Sequence, residues 1–220
     1  MGQLHLLPEE VLVKTGPVDH ADWNFRPILG VIQRSRFRIA LDLLGDERYG
    51  RLLEIGYGSG VFMPELARRC RHLHGIDIHA RSAHVDASLR KLDLSATLCS
   101  GSAESMPFET AYFDAVVAVS SFEFIPDLDR ACREIRRVLA PGGAFFLVTP
   151  GQSPLVDFGL KVLTGVTAER DYEGRRKDVM PALRRHFETV KTRVMPPAIH
   201  SVICLYRGLK LRAADGELPQ

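Results

Sequence analysis

Three glycines at alternate positions, directly after an apolar segment, form the part of this chain best suited to bind a ligand. Residues 52–60 read L-L-E-I-G-Y-G-S-G, which places the glycines at Gly56, Gly58 and Gly60. Glycine lets the backbone turn sharply and lets a ligand lie against bare main chain, and a helix start behind the turn offers N–H groups without intrahelical partners. The pattern predicts a ligand-binding turn, although a glycine triplet alone is equally typical of an ordinary tight turn.

An acidic residue stands at the end of the next predicted strand, after the helix that follows the glycine turn. Asp77 lies at the end of a second apolar segment, residues 73–78. A carboxylate in this place can accept hydrogen bonds from both hydroxyl groups of a ribose, so the turn and the acid together indicate a nucleoside site. Val61 stands where the dinucleotide-binding fingerprint has its third glycine. A nicotinamide-dependent oxidoreductase is therefore disfavoured, but it stays open as an alternative.

Alternating strand and helix patterns predict the scaffold that positions these residues. Predicted strands cover residues 51–55, 73–78, 96–99, 113–119 and 144–148, and two more follow at 187–194 and 201–206. Predicted helices cover residues 21–44, 61–70, 81–92 and 128–139. This alternation predicts an α/β fold in which right-handed crossovers connect the strands of a parallel sheet.

The composition argues against several classes of protein. Hydrophobic residues make up 45% of the chain and the formal net charge is +2, which disfavours disorder and a polyanion-binding protein. The four cysteines form no C-x-x-C pair and have no histidine at zinc-finger spacing, so we predict free thiols, a reducing cytoplasmic setting and no metal site. We expect neither a secretory signal nor a transmembrane helix.

Four ordered motifs carry a resemblance to a known family. The first is E-x-G-x-G-x-G at residues 54–60. The second, residues 101–108, reads G-S-A-E-S-M-P-F and is similar to the family pattern G-D-A-x-x-L-P-F. The third, residues 113–127, reads F-D-A-V-V-A-V-S-S-F-E-F-I-P-D and is similar to F-D-x-V-x-x-x-x-x-L-E-H-I-P-D. The fourth, residues 136–143, reads R-R-V-L-A-P-G-G and is similar to R-V-L-K-P-G-G. The segment from residue 50 to 150 thus resembles the class I S-adenosylmethionine-dependent methyltransferases, in particular those of ubiquinone and menaquinone biosynthesis and their small-molecule relatives.

The resemblance implies a fold, a cofactor and a set of site residues. The fold would be a Rossmann-like three-layer sandwich with a mostly parallel seven-stranded sheet and a final antiparallel strand. The cofactor would be S-adenosylmethionine, which leaves as S-adenosylhomocysteine, and the acceptor a small molecule rather than a nucleic acid. The implied cofactor-binding residues are Glu54, Gly56, Tyr57, Gly58, Gly60, Asp77, Ile78, Ser102, Ala103, Glu104, Ser120 and Phe122.

The resemblance also assigns parts of the cofactor to these residues. The glycines would line the methionine part, Asp77 would hold the ribose, and Ile78 would pack on one face of the adenine. Ala103 and Glu104 would border the adenine edge, whereas Ser120 and Phe122 would floor the site near the sulfonium. Glu54 either caps the glycine turn through backbone N–H groups or contacts the cofactor directly.

Two residues depart from the family pattern. Ser102 stands in place of an aspartate that contacts the adenine amino group, and Phe124 stands in place of a histidine. Serine is the weaker hydrogen-bond acceptor, and phenylalanine makes the acceptor pocket more apolar. These departures leave open a second class of function, a subunit that binds the cofactor but has lost catalysis.

A general base is needed only if the acceptor arrives protonated. The two candidates are His200, in the hairpin that joins the last strands, and His20, in the N-terminal segment; a packing or surface role is the alternative for both. Nearby, Trp23 either belongs to the core or covers the sulfonium, and Arg26 could meet the cofactor's carboxylate.

We predict one domain, residues 1–220, with several parts. These are an N-terminal helical lid (1–45), the cofactor-binding core (50–150), a substrate-lid insertion (151–183), the last strands (184–212) and a disordered tail (213–220). The insertion carries Arg170, Tyr172, Arg175 and Arg176, which either bind an anionic acceptor or belong to a solvated charged loop. The oligomeric state and the methylated atom stay open.

Overall fold

A single mixed sheet organises the chain in the computed structural model, which describes residues 3–151, 175–197 and 204–214. Its strands are β1 (Tyr49–Ile55), β2 (Cys70–Asp77), β3 (Thr97–Ser100), β4 (Phe113–Val119), β5 (Leu139–Pro150), β6 (Phe187–Met195) and β7 (Tyr206–Ala213). They lie in the order β3-β2-β1-β4-β5-β7-β6, and β7 alone runs antiparallel to its neighbours. This confirms the predicted mostly parallel seven-stranded sheet with one antiparallel strand.

Helices cover both faces of the sheet. They are α1 (Pro27–Leu44), α2 (Met63–Ala67), α3 (Ser82–Arg90), α4 (Leu128–Val138) and α5 (Arg176–His186). Along β4 the buried side chains alternate: Val117 packs with residues of α1, α2 and α3, and Val116 packs with residues of α4 and α5. A strand buried on both faces needs a continuous apolar sequence, which is why β4 is recognisable from residues 113–119 alone. No helix in the described ranges is long and apolar enough to cross a membrane.

The N-terminal segment crosses the top of the sheet before α1 begins. Leu7 is fully buried and its N–H donates to the Val61 carbonyl at 3.0 Å. Further along, the Ser88 hydroxyl of α3 donates to the Val11 carbonyl at 2.7 Å. These contacts fix residues 3–11 on the outer helices and so aim the following residues across the ends of the central strands.

Two predicted helices have different bounds in the structure. The helix predicted over residues 21–44 is divided into a 3-10 turn, Ala21–Phe25, and α1, which has Pro27 at its first position. Proline fits the first helical turn, where no intrahelical N–H bond is needed, and therefore starts a new helix. The helix predicted over residues 61–70 is only Met63–Ala67, because the chain already enters β2 at Cys70.

The last strand lies further along the chain than predicted. The apolar run at residues 201–206 suggested a strand, but β7 is Tyr206–Ala213. Lys210 obscures the pattern, although its ammonium lies 5.4 Å from the centre of the Phe146 ring. Gly208 marks the real strand, because a Cβ atom there would lie 2.2 Å from Ile39 of α1. Of the predicted lid insertion, residues 152–174 lie outside the described ones, and residues 176–183 belong to α5; most of the predicted tail, residues 215–220, is likewise not described.

Candidate functional site

A cavity of about 680 Å³ opens at the carboxyl ends of the parallel strands. Open α/β sheets bind ligands at this edge, and the volume is within the usual range for small-molecule sites. The predicted site residues that line the cavity are Glu54, Gly56, Tyr57, Gly58, Asp77, Ile78, Ser102, Ala103, Glu104, Ser120 and His20. The structure thus brings together eleven of the fourteen predicted residues; Gly60, Phe122 and His200 are the exceptions.

The glycine turn needs glycine for both conformation and space. Gly56, Gly58 and Gly60 have φ values of 72°, 51° and 75°, in the left-handed region that other residues avoid. A Cβ atom on Gly56 would lie 2.3 Å from the Cβ of Ser121. Gly60 does not line the cavity, contrary to the prediction, because its open side faces Val85 of α3 at 2.9 Å. Its glycine is required for packing of α3 against the turn.

Asp77 supports the glycine turn in addition to facing the cavity. Its Oδ2 accepts a hydrogen bond from the Gly58 N–H at 2.8 Å, and its Oδ1 accepts one from the His79 N–H at 3.3 Å. The His79 ring in turn bonds to the Gly58 carbonyl at 3.0 Å. The strand end therefore holds the turn in place, while each carboxylate oxygen keeps a second lone pair for a ligand hydroxyl.

Glu54 points into the cavity and does not cap the turn. The N–H groups of Gly56, Gly58 and Gly60 bond instead to the Ile76 carbonyl, the Asp77 carboxylate and the Tyr57 carbonyl. Oε2 of Glu54 is buried and has no hydrogen-bond partner among the described residues. Burial and, secondly, the Asp77 charge raise the pKa of Glu54 to about 8, and Arg36 opposes that rise. This buried carboxyl group can bind a cationic group of a ligand, which would favour its ionised form.

Arg36 of α1 lines the same part of the cavity and was missed from the sequence. Its Nε is buried without a hydrogen-bond partner among the described residues, and its guanidinium lies 4.8 Å from the centre of the Phe37 ring. The predicted cation, Arg26, pairs instead with Asp22 at 2.8 Å and lies 5.9 Å from the Trp23 ring centre. No local signal separates these arginines, since only the docking of α1 on the sheet turns Arg36 inward.

The opposite end of the cavity carries the predicted adenine-binding residues. The Ser102 hydroxyl donates to Oε2 of Glu104 at 3.0 Å and accepts a bond from the Glu104 N–H at 3.1 Å. Oε1 of Glu104 accepts a bond from the Asp127 N–H at 2.6 Å. Ser102 is therefore held in place by its neighbour. Ile78 is 82% exposed and offers an unpartnered apolar surface at the cavity rim.

Phe122 does not floor the site, so this prediction is wrong. The residue is fully buried in the core, where its ring centre lies 5.6 Å from that of Phe145. A 3-10 turn over Phe122–Phe124 directs the first ring into the core and leaves Phe124 on the cavity wall. Ser120 does line the cavity, with a φ of 52°.

The N-terminal segment forms a second wall of the cavity. The His20 and Trp23 rings stack at 4.0 Å and both line the cavity, which favours a covering role for Trp23 over a purely core role. Asp19 holds this wall together, because its carboxylate accepts bonds from the Thr15 N–H at 3.0 Å and hydroxyl at 2.8 Å, and from the Ala21 N–H at 3.2 Å. His200 lies outside the described residues. Thr15, Gln33, Arg176 and Tyr206 also line the cavity and were not predicted cofactor ligands.

Comparisons with known proteins agree with this geometry. Residues 53–147 match the family described as a methyltransferase domain. The uncharacterized methyltransferase YdaC of Bacillus subtilis (strain 168) is 31% identical over 105 residues, which are 47% of this chain and 58% of that protein. The ubiquinone biosynthesis O-methyltransferase of Xanthomonas oryzae pv. oryzae (strain PXO99A) is 33% identical over 148 residues, 65% of this chain and 59% of that protein. The chain thus matches less than two thirds of either relative's length.

Solved structures share the fold. The geranyl diphosphate C-methyltransferase from Streptomyces coelicolor A3(2), in complex with Mg²⁺, geranyl diphosphate and S-adenosyl-L-homocysteine, superposes with a TM-score of 0.68 over 94% of each chain at 16% identity. The N-methyltransferase NodS from Bradyrhizobium japonicum WM9, in complex with S-adenosyl-l-homocysteine, gives a TM-score of 0.61 at 19% identity, over 90% of this chain and 94% of that one. Residues 53–147 thus match a methyltransferase domain by sequence, and the chain shares the fold of these two methyltransferases.

Proposed function

We propose that this chain transfers the methyl group of S-adenosylmethionine to a small-molecule acceptor by in-line displacement in the described cavity. One observation carries the proposal: Asp77, the glycine turn, Glu54 and Arg36 all line the same cavity. Asp77 can bind a ribose, Glu54 can bind the ammonium group of an amino acid, and Arg36 can bind its carboxylate. S-Adenosylmethionine has all three groups in one molecule.

The cofactor would lie along the strand ends in one direction. Its ribose would bond to Asp77, and its adenine would lie against Ile78 with its edge toward Ser102 and Ala103. The methionine part would cross the glycine turn, so that its ammonium meets Glu54 and its carboxylate meets Arg36. Charge-assisted hydrogen bonds of this kind are about twice as strong as neutral ones, which supports a tight cofactor site.

Methyl transfer requires alignment more than acid–base chemistry. The sulfonium sulfur is already a good leaving group, so the acceptor atom has only to approach the methyl carbon opposite the sulfur. Holding two reactants in this geometry can supply roughly 7–11 kcal/mol. If the acceptor carries a proton, His20 on the cavity wall would remove it, and His200 is the second candidate.

Proton release on cofactor binding is the first expected result. At pH 7 the Glu54 carboxyl is mostly protonated, because its pKa is raised to about 8. A bound ammonium favours the carboxylate and lowers that pKa, so binding expels a proton and affinity for S-adenosylhomocysteine increases as the pH rises from about 6 to about 8. Calorimetry in two buffers of different ionisation enthalpy measures the release. Glu54→Gln should abolish it; release that persists in this variant would contradict the role of Glu54.

Arg36→Gln provides a second expected result. We expect affinity for S-adenosylhomocysteine to fall roughly tenfold to a hundredfold, because a charge-assisted bond is worth about 1.5–3 kcal/mol. The matched ligand is 5′-methylthioadenosine, which has the same nucleoside and thioether but no amino-acid end, and its affinity should not change. Equal losses for both ligands would mean that Arg36 supports the cavity without contacting the carboxylate.

The proposed reaction is tested by transfer of label. The protein is incubated with S-adenosylmethionine that carries a radioactive methyl group and with a cell extract separated by ultrafiltration into small and large molecules. We expect label in small molecules that separate from S-adenosylmethionine on chromatography, and far less of it there with Asp77→Ala. Label only in macromolecules would contradict the acceptor class, and binding of the cofactor without any transfer would favour a subunit that has lost catalysis.

We also propose a cytoplasmic location for the protein. All four cysteines, Cys70, Cys99, Cys132 and Cys204, are unpaired, and three of them are buried. Free buried thiols are typical of proteins from reducing compartments.

A further inference from the structure

The end of the cavity away from Glu54 and Arg36 carries a hydrogen-bonded pair of side chains, Ser102 and Glu104. Both residues are half-buried and line the cavity. The Ser102 hydroxyl oxygen lies 3.0 Å from Oε2 of Glu104 and 3.1 Å from the Glu104 backbone nitrogen. The adenine of the proposed cofactor would lie at this end, so the hydrogen bonds that the pair can still make decide which base it accepts.

The Ser102 hydroxyl group can donate one hydrogen bond and accept two. An ionised carboxyl group can only accept, so the contact with Oε2 of Glu104 uses the Ser102 proton. The Glu104 N–H occupies one of the two lone pairs. One lone pair is left, and Ser102 can therefore accept a hydrogen bond from a ligand but has no proton to donate to it.

Glu104 is held in this orientation by the beginning of α4. Its Oε1 accepts a bond of 2.6 Å from the N–H of Asp127, the residue before the helix. In the first turn of α4, Nε of Arg130 donates to the Glu104 carbonyl at 2.9 Å. Because one carboxylate oxygen and the backbone of Glu104 are both fixed, the other oxygen stays turned toward Ser102.

We propose that Glu104 is a positioning residue, which orients the Ser102 hydroxyl so that the pair selects a base with an amino group and rejects one with a carbonyl group in its place. The inference rests on the proposed function, since it concerns the adenine of the same cofactor. The adenine amino group would donate to the remaining lone pair of Ser102. The carbonyl group of hypoxanthine would instead meet an oxygen without a proton to donate, and a polar group left without its hydrogen bond costs affinity.

The test compares S-adenosylhomocysteine with S-inosylhomocysteine, in which hypoxanthine replaces adenine, by calorimetric titration of the full chain. We expect the unaltered protein to prefer the adenosyl ligand by roughly tenfold or more. The two bases also differ at N1, which carries a proton only in hypoxanthine. Ser102→Ala therefore supplies the reference value, because the preference that remains in this variant comes from the rest of the base edge.

Glu104→Gln should reverse the direction of the Ser102 hydroxyl. The Asp127 N–H needs an acceptor, so the new amide oxygen takes the place of Oε1 and the amide nitrogen faces Ser102. Two N–H groups then occupy both lone pairs of Ser102, and its proton becomes available to the hypoxanthine carbonyl. The preference for the adenosyl ligand should fall below the Ser102→Ala value. Glu109→Gln, which removes an exposed carboxylate from the same segment, should leave the preference unchanged.

The outcomes that would overturn the inference are distinct. A preference in the unaltered protein no greater than that in Ser102→Ala would mean that Ser102 does not distinguish the bases. A Glu104→Gln value at or above the Ser102→Ala value would mean that Glu104 does not orient the hydroxyl. Equal losses in Glu109→Gln and Glu104→Gln would mean that the charge of the segment sets the preference. Failure of the unaltered protein to bind S-adenosylhomocysteine would instead contradict the proposed function itself.

Discussion

Asp77→Ala is expected to weaken binding of S-adenosylhomocysteine by at least a hundredfold. The carboxylate would accept a bond from each ribose hydroxyl, and a hydrogen bond to a charged group contributes about 1.5–3 kcal/mol. Two such bonds therefore exceed the roughly 2.8 kcal/mol that correspond to a hundredfold change. The variant also removes the acceptor of the Gly58 N–H, so the glycine turn loses its support. Calorimetric titration measures the affinity directly.

Two further variants separate the two roles of Asp77. Asp77→Asn keeps a carbonyl oxygen for the Gly58 N–H, so we expect thermal stability close to that of the unaltered protein but reduced affinity. Asp86→Ala is the control for the loss of a carboxylate. In the described part of the chain, Asp86 forms an ion pair with Arg90 on the outer face of α3. Its affinity should not change. Near-unchanged affinity in Asp77→Ala would exclude Asp77 from the cofactor site.

Gly56→Ala is expected to destabilise the fold strongly and to abolish cofactor binding. The new methyl group would lie 2.3 Å from the Cβ of Ser121, whose hydroxyl is held by a 2.7 Å bond to the Ile55 carbonyl. Relief of this overlap requires movement of either the turn or the start of the segment after β4. Overpacking of this kind costs about 1–3 kcal/mol, in addition to about 1–2 kcal/mol for alanine in a left-handed conformation.

Gly142→Ala is the control for loss of a glycine with positive φ where there is room for a side chain. Gly142 has a φ of 80°, and no heavy atom lies within 4 Å of the position of its Cβ. Chemical unfolding should therefore show a clearly larger loss for Gly56→Ala, and adding Ser121→Gly should restore part of it. Equal losses at the two positions would mean that the turn can accept a side chain, and that close approach to Ser121 does not define its shape.

The parts of the site that follow from local patterns were predictable. The glycine turn and Asp77 stand at the ends of apolar strands, and the parallel sheet brings such ends to one edge whatever the details of packing. The first and last residues of β4 were predictable because a strand covered on both faces of the sheet needs an apolar sequence, and residues 113–119 form such a run. The alternation of elements predicted the parallel sheet with right-handed crossovers, whereas the order of its strands came from the structure.

The residues that depend on how elements dock were not predictable. Arg34 and Arg36 are near neighbours on α1 and look alike in the sequence, yet Arg34 donates to the Asn24 carbonyl and Arg36 faces the cavity. Phe122 was expected at the cavity floor but lies in the core, because a 3-10 turn directs its ring away from the cavity that Phe124 lines. The bounds of β7 were not predicted, because the sequence of this strand mixes charged residues with apolar ones. The apolar ones become buried only when the strand lies between β5 and β6. In each case tertiary contacts decide what local sequence leaves open.

Calorimetric titration of the purified protein with S-adenosylhomocysteine, repeated with NADH, determines which of the two ligands the cavity binds. We predict saturable binding of one S-adenosylhomocysteine per chain and no binding of NADH. A thermal unfolding scan on the same samples should show stabilisation of about 2.7 kcal/mol when the ligand is present at a hundred times its dissociation constant. Absence of binding at millimolar S-adenosylhomocysteine, or binding of NADH in its place, would contradict the assignment of this cavity to S-adenosylmethionine.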